Sequence, residues 1–153
     1  MAVNRQFLLA ERPSGPIKHS DFRLVESDIP EPAEGEVLVQ VLLVALEPAM
    51  KGWMEARVDY VAAMQIGDVM RGRGLGKVIK SDNSAFPEGS LVIGGFGWQE
   101  YATARAIELT GLPDGVEPET AMNVLGITGF TAYFGMQEIG KPQAGDTDRK
   151  SVV

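Results

Sequence analysis

The chain contains no cysteine and a single histidine, His19. Without thiols there is no disulfide framework and no thiolate nucleophile, and a zinc site would have to rest on carboxylates alone. His19 lies in an early polar turn with no nucleophile nearby, so a Ser-His-Asp arrangement cannot be assembled around it. We therefore interpret His19 as a solvated surface residue and expect no metal.

Basic residues are few, and long apolar runs are missing. The sequence has 14 basic and 21 acidic residues, and the resulting net charge of −7 disfavours binding to nucleic acid or to anionic membranes. No stretch approaches the roughly 20 apolar residues of a membrane span, and the N-terminal apolar run is too short for a secretory signal. We expect a cytoplasmic protein with neither nucleic acid nor a membrane as a partner.

Short apolar runs separated by turn residues fill the first three-quarters of the chain. The candidate strands are residues 6–10, 22–27, 36–44, 76–80, 90–93 and 98–102. The strongest is 36–44, EVLVQVLLV, which is almost continuously apolar, as expected of a strand covered on both faces. Together with 18 glycines and 9 prolines, these runs predict a mainly β fold, a small and partly open β-barrel.

The hydrophobic period changes near Pro118. Proline suits the first turn of a helix, and Glu119 faces the positive end of the helix dipole. A second helix is predicted from about residue 128 to 139, with Gly140 as its C-cap. The sequence thus predicts a barrel over residues 1–117 followed by helices over 118–147.

The glycine-rich run RGRGLGK, residues 71–77, matches neither phosphate-binding template, because it contains no GxGxxG and no GxxxxGK followed by Ser or Thr. It also precedes a strand rather than a helix, so it offers no helix N-terminus to an anion. We interpret these glycines as residues that let a strand bend or approach another backbone. Trp98 and Tyr101 are interpreted as aromatic residues of the barrel core.

The turn LEPAMKGWM, residues 46–54, follows the strongest strand directly. Met50 fits two interpretations, either a core residue beside Trp53 and Met54 or a soft wall of a cleft at the strand end. Tyr60 lies in a polar, irregular stretch where a phenol could donate a hydrogen bond. The pattern alone does not separate these interpretations.

The stretch LGITGFTAYFGM, residues 125–136, resembles the LGMPGLTAYFGL segment of the zinc-independent medium-chain dehydrogenases/reductases. The similar branch contains NADP-dependent prostaglandin and leukotriene reductases, alkenal reductases and a bacterial curcumin reductase. NRQFLLAERPSG, PAEGEVLVQV, LEPAMKGWM and GFGWQEY also resemble their counterparts in order and spacing, so the resemblance covers residues 3–147. It implies a GroES-like catalytic barrel followed by a Rossmann domain that carries the cofactor, with the substrate cleft between them.

The chemistry implied by the resemblance is reduction of the C=C bond of α,β-unsaturated ketones and aldehydes, with hydride transfer from NADPH to the β-carbon. Tyr60 stands at the position of a family tyrosine that contacts the substrate carbonyl or enolate, and is the implied catalytic residue. Met50, Ile127 and Thr131 are the implied cofactor-binding residues, and no metal is implied. Most cofactor contacts would come from the Rossmann domain, through which related enzymes often form homodimers.

Two positions depart from the family pattern. Ala49 replaces the tyrosine usual in the LDPYM turn, which opens one wall of the pocket and leaves the substrate preference undetermined. Thr128 replaces the usual proline, which alters the start of the helix but removes no chemical group.

The resemblance ends at Thr147. One codon spelling of the last six residues, DRKSVV, reproduces the start of a common sequencing adapter, so residues 148–153 are predicted to be a non-native tail and the chain an N-terminal fragment. Two alternatives remain: a non-catalytic GroES-like binding module, and a quinone oxidoreductase of the same superfamily. Phe130, Phe134 and Ile139 of the second helix favour a reductase, because a free-standing module has no need of a helix that docks a Rossmann domain.

Overall fold

A computed structural model describes residues 2–56 and 61–147 of the chain. In this part of the chain, seven strands form two antiparallel sheets. The small sheet pairs β1 (Asn4–Leu9) with β2 (Phe22–Ser27), and the large sheet has the order β6-β3-β4-β5-β7. Its strands are β3 (Glu36–Val44), β4 (Gly74–Lys80), β5 (Leu91–Gly94), β6 (Tyr101–Arg105) and β7 (Thr110–Gly111).

Backbone hydrogen bonds join the small sheet to the rest of the barrel. The Phe7 N–H donates to the Trp98 carbonyl at 2.9 Å, and the Phe7 carbonyl accepts from the Met70 N–H at 2.8 Å. The segments 68–70 and 98–100 therefore lie along one edge of strand β1, and β2 lies along the other. This arrangement confirms the mainly β, partly open barrel expected from the sequence.

Glycines allow β4 to approach β3 closely. A Cβ added to Gly76 would lie 2.4 Å from Val39 Cγ1 and 2.5 Å from the Gln40 carbonyl oxygen. One added to Gly74 would lie 2.8 Å from the Leu43 carbonyl oxygen. The interpretation of the glycine-rich run as a close backbone approach is therefore confirmed.

Strand β3 is covered on both faces only in its first half. Val37, Leu38 and Val39 are buried, whereas Leu42 is half exposed. In the described residues, pairing on the β6 side covers residues 36–40 and ends with the Val41 N–H, which donates to the Glu100 carbonyl at 2.8 Å, so Leu42 lies where the strand leaves its neighbour. The expectation of a strand covered on both faces was wrong at Leu42.

The predicted strand at residues 98–102 begins three residues later, as β6. Residues 98–100 are bonded to β1 instead: Trp98 accepts from Phe7, and the Glu100 N–H donates to the Arg5 carbonyl at 3.1 Å. This segment closes the barrel before the chain enters the large sheet.

Among the described residues, the core consists of three clusters. The first fills the inside of the large sheet and is built mainly from valines with Phe96. The second lies beneath the small sheet and contains Leu9, Met54, Met64 and Met70. The third contains Leu75, Ile93 and Ala121, and it attaches the first helix after the barrel to the sheet.

Three short α-helices occur in the described residues: α1 (Ala49–Met54), α2 (Pro118–Asn123) and α3 (Ile127–Phe134). A π-helical turn, Gly135–Gly140, continues α3. The helix ends at Lys141 in the left-handed conformation, φ 46°, rather than at Gly140 as expected, because Pro142 disfavours a right-handed helical conformation in the residue before it. No helix in the described ranges is long and apolar enough to cross a membrane.

Candidate functional site

Helix α1 places two methionines on one side of the turn that follows β3. Met50 and Met54 are four residues apart, so both lie on the same helix face, and they are 5% and 1% exposed. Met54 packs with Leu9, Met64 and Met70 in the second core cluster. Met50 is thus a core residue whose outer edge borders a groove.

Two grooves adjoin this turn. We call the first the methionine groove; it has a volume of about 560 Å³ and is bordered by Phe22, Met50, Met54 and residues 46–48. The second, the hairpin groove, has a volume of about 540 Å³ and runs along β1 and β2 past Phe7 and Leu24. Leu46 and Trp98 line both grooves, so the two form one continuous, largely apolar surface.

Aromatic contacts hold Trp98 at the junction of the two grooves. Its indole stacks on Phe22 at a centroid distance of 5.3 Å and meets Phe7 edge-on at 6.2 Å. A Cβ added to Gly72 would lie 3.0 Å from Trp98 Cδ1, so this glycine also makes room for the indole. Trp98 packs against the second core cluster, as the core interpretation expected, and its half-buried ring forms a wall of both grooves.

An ion pair lies at the rim of the hairpin groove. Arg5 Nη2 donates to Glu100 Oε1 at 2.5 Å, and the Arg5 backbone N–H donates to Oε2 at 3.2 Å. The side-chain hydrogen bond, with the backbone one, lowers the pKa of Glu100, and the same pair raises the pKa of Arg5. The pair's contribution to stability is therefore present above the usual glutamate pKa and is lost as the pH falls through the lowered value.

A smaller hollow, about 180 Å³, lies where the end of β3 meets α2 and α3. We call it the helix hollow. Leu46 and Glu47 line it on the barrel side, and Met122, Asn123 and Thr128 line it on the helix side. Because Leu46 and Glu47 also line the methionine groove, the start of α3 adjoins the turn that leads to Met50.

Glycines set the angle between α2 and α3. A Cβ added to Gly126 would lie 2.2 Å from the Met122 carbonyl oxygen, and one added to Gly129 would lie 1.9 Å from the Val124 carbonyl oxygen. The two helices therefore meet backbone to backbone. This contact fixes where Ile127 and the rest of α3 project.

The segment made of α3 and the π-helical turn is exposed and rich in large apolar side chains. Six large side chains on it are between 51% and 83% exposed. We call this set the docking face; its residues are Ile127, Phe130, Tyr133, Phe134, Met136 and Ile139. Exposed large apolar side chains in this number on one helical segment mark a site of contact with another chain segment, a partner or a ligand.

The structure places the sequence-predicted site residues as follows. Met50 borders the methionine groove, and Ile127 is 59% exposed on the docking face. Thr131 is exposed, and its hydroxyl donates to the Ile127 carbonyl at 2.7 Å, so only its lone pairs remain for a ligand. Tyr60 lies outside the described residues. Ala49 is exposed at the start of α1.

Sequence reasoning missed Leu46 as a site residue. It is 74% exposed and lines the methionine groove, the hairpin groove and the helix hollow. The available signal was its position directly after a strand end, where binding residues often lie. Within residues 2–56 and 61–147, no group of three His, Asp or Glu side chains could hold a metal ion.

The architecture defines a GroES-like barrel domain of the kind found in medium-chain dehydrogenases/reductases. Residues 5–112 match the family described as the N-terminal domain of oxidoreductase. The chain belongs to this oxidoreductase family.

Among curated relatives, the NADPH-dependent curcumin reductase of Escherichia coli is 38% identical over 145 residues, covering 94% of this chain and 42% of that protein. The 2-alkenal reductase (NADP(+)-dependent) of Nicotiana tabacum is 30% identical over 151 residues, covering 94% of this chain and 44% of the reductase. The crystal structure of CurA in complex with NADPH from Vibrio vulnificus is 38% identical, with a TM-score of 0.85 over 93% of this chain and 42% of CurA. The chain therefore spans less than half the length of these relatives.

Proposed function

We propose that this chain forms the barrel half of an NADPH-dependent oxidoreductase that reduces the C=C bond of α,β-unsaturated ketones and aldehydes. In this proposal residues 1–117 form the catalytic barrel, residues 118–147 connect it, and a nucleotide-binding domain follows. The names of the relatives support the substrate class, since one reduces curcumin and another 2-alkenals, each with an NADP cofactor.

The observation that carries the proposal is the docking face. Full burial of one such side chain contributes about 1.5–3 kcal/mol, so leaving six of them in water is costly unless another surface covers them. The face lies on the helices that follow the barrel, and the relatives extend well beyond the matched region. A nucleotide-binding domain packed on this face accounts for both facts, whereas a free-standing binding module accounts for neither.

Residues in the first turns of α3, together with Met50, fit the nicotinamide end of the cofactor. Ile127 offers an exposed apolar surface, and the Thr131 hydroxyl offers oxygen lone pairs. The edge of Met50 that borders the groove adds a polarisable thioether surface. The glycine-rich run does not serve the phosphates, because Gly74 and Gly76 are packed against β3. When bound, NADPH supplies a hydride for the β-carbon of the substrate.

The methionine groove and the hairpin groove bind the rest of the substrate. Its apolar body lies against Leu46 and Trp98, which line both the methionine groove and the hairpin groove. Reduction leaves negative charge on the carbonyl oxygen, which a positioned hydrogen-bond donor stabilises, and the α-carbon then takes a proton from an acid or water. We assign the donor role to the phenol of Tyr60.

The proposal is tested with the full-length protein encoded by the gene from which this chain comes. We expect it to oxidise NADPH when given an enone such as 4-phenyl-3-buten-2-one, and to give the saturated ketone as product. The saturated ketone and a quinone serve as controls. Turnover of the quinone alone identifies a quinone oxidoreductase, and a well-folded protein inactive with every enone tested refutes the proposal.

Replacing Tyr60 by phenylalanine is expected to lower kcat on the order of 10²-fold, since one donor to the developing oxyanion is removed. The dissociation constant for NADPH should change little, because a phenol that contacts the substrate oxygen is not needed to hold the nucleotide. Tyr101→Phe on β6 is the matched control and should keep wild-type kinetics. An unchanged kcat for Tyr60→Phe would remove this residue from the site.

A further inference from the structure

The guanidinium of Arg12 bridges two backbone carbonyls. Nη1 donates to the Met54 carbonyl at 2.7 Å, and Nη2 donates to the Met64 carbonyl at 2.9 Å. Met54 is the last residue of α1, and both methionines belong to the second core cluster. One side chain from the turn after β1 thus ties the end of α1 to a segment that returns to the barrel.

Other contacts close the same junction. The Met64 N–H donates to the Trp53 carbonyl at 3.1 Å. Arg71 Nη1 donates to the Ala62 carbonyl at 2.9 Å, and its guanidinium lies 5.6 Å from the centroid of the Trp53 ring. Among these contacts, the planar guanidinium of Arg12 is the group that binds the Met54 carbonyl and the Met64 carbonyl at the same time.

Helix α1 needs such a support because it has only six residues. A helix this short is not stable by itself, and its last carbonyls lack partners within the helix. Its N-cap residue makes no side-chain hydrogen bond. A cation near the C-terminus both satisfies a carbonyl there and interacts favourably with the helix dipole.

We propose that Arg12 is a positioning residue of the reductase site: by holding the Met54 and Met64 carbonyls it fixes α1, and with it the Met50 border of the methionine groove. This inference rests on the proposed function for its catalytic consequence. Arg12 does not itself line the methionine groove. It acts through α1, whose side chains Met50, Lys51 and Met54 line the groove.

The test replaces Arg12 by methionine and by lysine in the full-length protein. In Arg12→Met, kcat/KM for the enone should fall by about 10- to 100-fold, because a displacement near 1 Å in a site costs about that much. Amide hydrogen exchange should speed up selectively in residues 49–56. Arg12→Lys should be intermediate, since an ammonium lacks the planar fork that holds both carbonyls.

Chemical rescue separates positioning from a general loss of stability. In Arg12→Ala, guanidinium at concentrations far below denaturing ones should restore part of kcat/KM, whereas ammonium should not. Arg105→Met is the matched control, because Arg105 is exposed and pairs with Glu108 at the surface. It should keep wild-type kinetics and exchange. All kinetics are measured well below the melting temperature of each variant.

The outcomes are distinguishable. Wild-type kcat/KM and wild-type exchange in Arg12→Met overturn the inference, as does faster exchange spread evenly over the barrel. If the wild-type protein reduces no enone, the proposed function fails, and selective exchange in residues 49–56 still decides whether Arg12 positions α1. If Arg12→Met does not fold, the lysine variant and the guanidinium rescue decide the same question.

Discussion

Replacing Gly129 by valine is expected to displace α3 and to abolish the proposed reductase activity while the barrel stays folded. A Cβ at this position would lie 1.9 Å from the Val124 carbonyl oxygen and 2.6 Å from the Val124 carbonyl carbon. Both are backbone atoms at the junction of α2 and α3, so they cannot turn away as a side chain would. Relief requires the two helices to separate, which moves Ile127 and Thr131 away from the turn at Met50.

The barrel should be insensitive to this change because α3 contributes nothing to the core. No residue of α3 is buried, and the last residues of the core clusters, Ala121 and the partly buried Met122, belong to α2. Hydrogen exchange should therefore be unchanged in β3 and β4 and faster in α3. In the full-length protein, NADPH oxidation should fall by about 10²-fold or more, as expected when reacting groups lose their alignment.

Gly135→Ala is the matched control for the helix. A Cβ added to Gly135 meets nothing within 4 Å, and alanine favours the helical conformation over glycine by about 0.5–1 kcal/mol. Exchange in α3 should therefore stay the same or slow down in this variant. Equal activity and equal exchange in Gly129→Val and Gly135→Ala would show that the close approach of α2 and α3 is not required.

Local patterns in the sequence locate most of the strands. β2 and β3 lie where alternation and flanking turn residues predict them, at residues 22–27 and 36–44. β6 is displaced by three residues because 98–100 is as extended as a strand of the large sheet, yet its hydrogen-bonding partner is β1. The choice of partner depends on residues more than 90 positions away and leaves no local signal. β7 has only two residues, too few for a periodic pattern.

The candidate site, like the fold, could be predicted from the sequence only in part. The turn at Met50 and the segment carrying Ile127 and Thr131 were recognised by resemblance to a family, and the role of Tyr60 stays a prediction. The wall shared by Leu46 and Trp98 forms only where separate segments meet, so no spacing within the sequence reveals it. Arg12 is equally hidden, because its hydrogen bonds to α1 and Met64 span 42 and 52 residues.

Replacing Asn4 by aspartate is expected to destabilise the barrel on the order of 3 kcal/mol, the effect of leaving buried polar groups without partners. Asn4 is 1% exposed and joins β1 to the start of β6. Its Oδ1 accepts from the Glu100 N–H at 3.2 Å and from the Tyr101 N–H at 3.0 Å. Its Nδ2 donates to the Tyr101 carbonyl at 2.9 Å and to Gln99 Oε1 at 3.2 Å.

Replacing Asn4 by aspartate keeps the acceptor Oδ1 and removes the donor Nδ2. A carboxylate oxygen in place of Nδ2 would face two acceptors, the Tyr101 carbonyl and Gln99 Oε1, inside the barrel. Repulsion and burial therefore add to the lost hydrogen bonds. Urea unfolding followed by tryptophan fluorescence should show a lower midpoint, since Trp98 lies two residues before Glu100. A midpoint equal to that of the wild type would contradict the assigned role of Asn4.

The pH dependence of the Asn4→Asp variant separates this cause from a simple loss of packing. Burial and the two facing acceptors raise the folded-state pKa of the introduced carboxyl above its unfolded value. The loss of stability is therefore complete above the folded-state pKa. It becomes smaller as the pH falls through that pKa, because a protonated carboxyl can donate to the Tyr101 carbonyl. Asn83→Asp is the matched control: Asn83 Oδ1 accepts from the Ala85 N–H at an exposed site, so aspartate can take over its role. The free energy of unfolding of Asn83→Asp should stay within about 0.5 kcal/mol of the wild-type value. If the loss of stability in Asn4→Asp persists unchanged at acidic pH, its cause is packing rather than the buried charge.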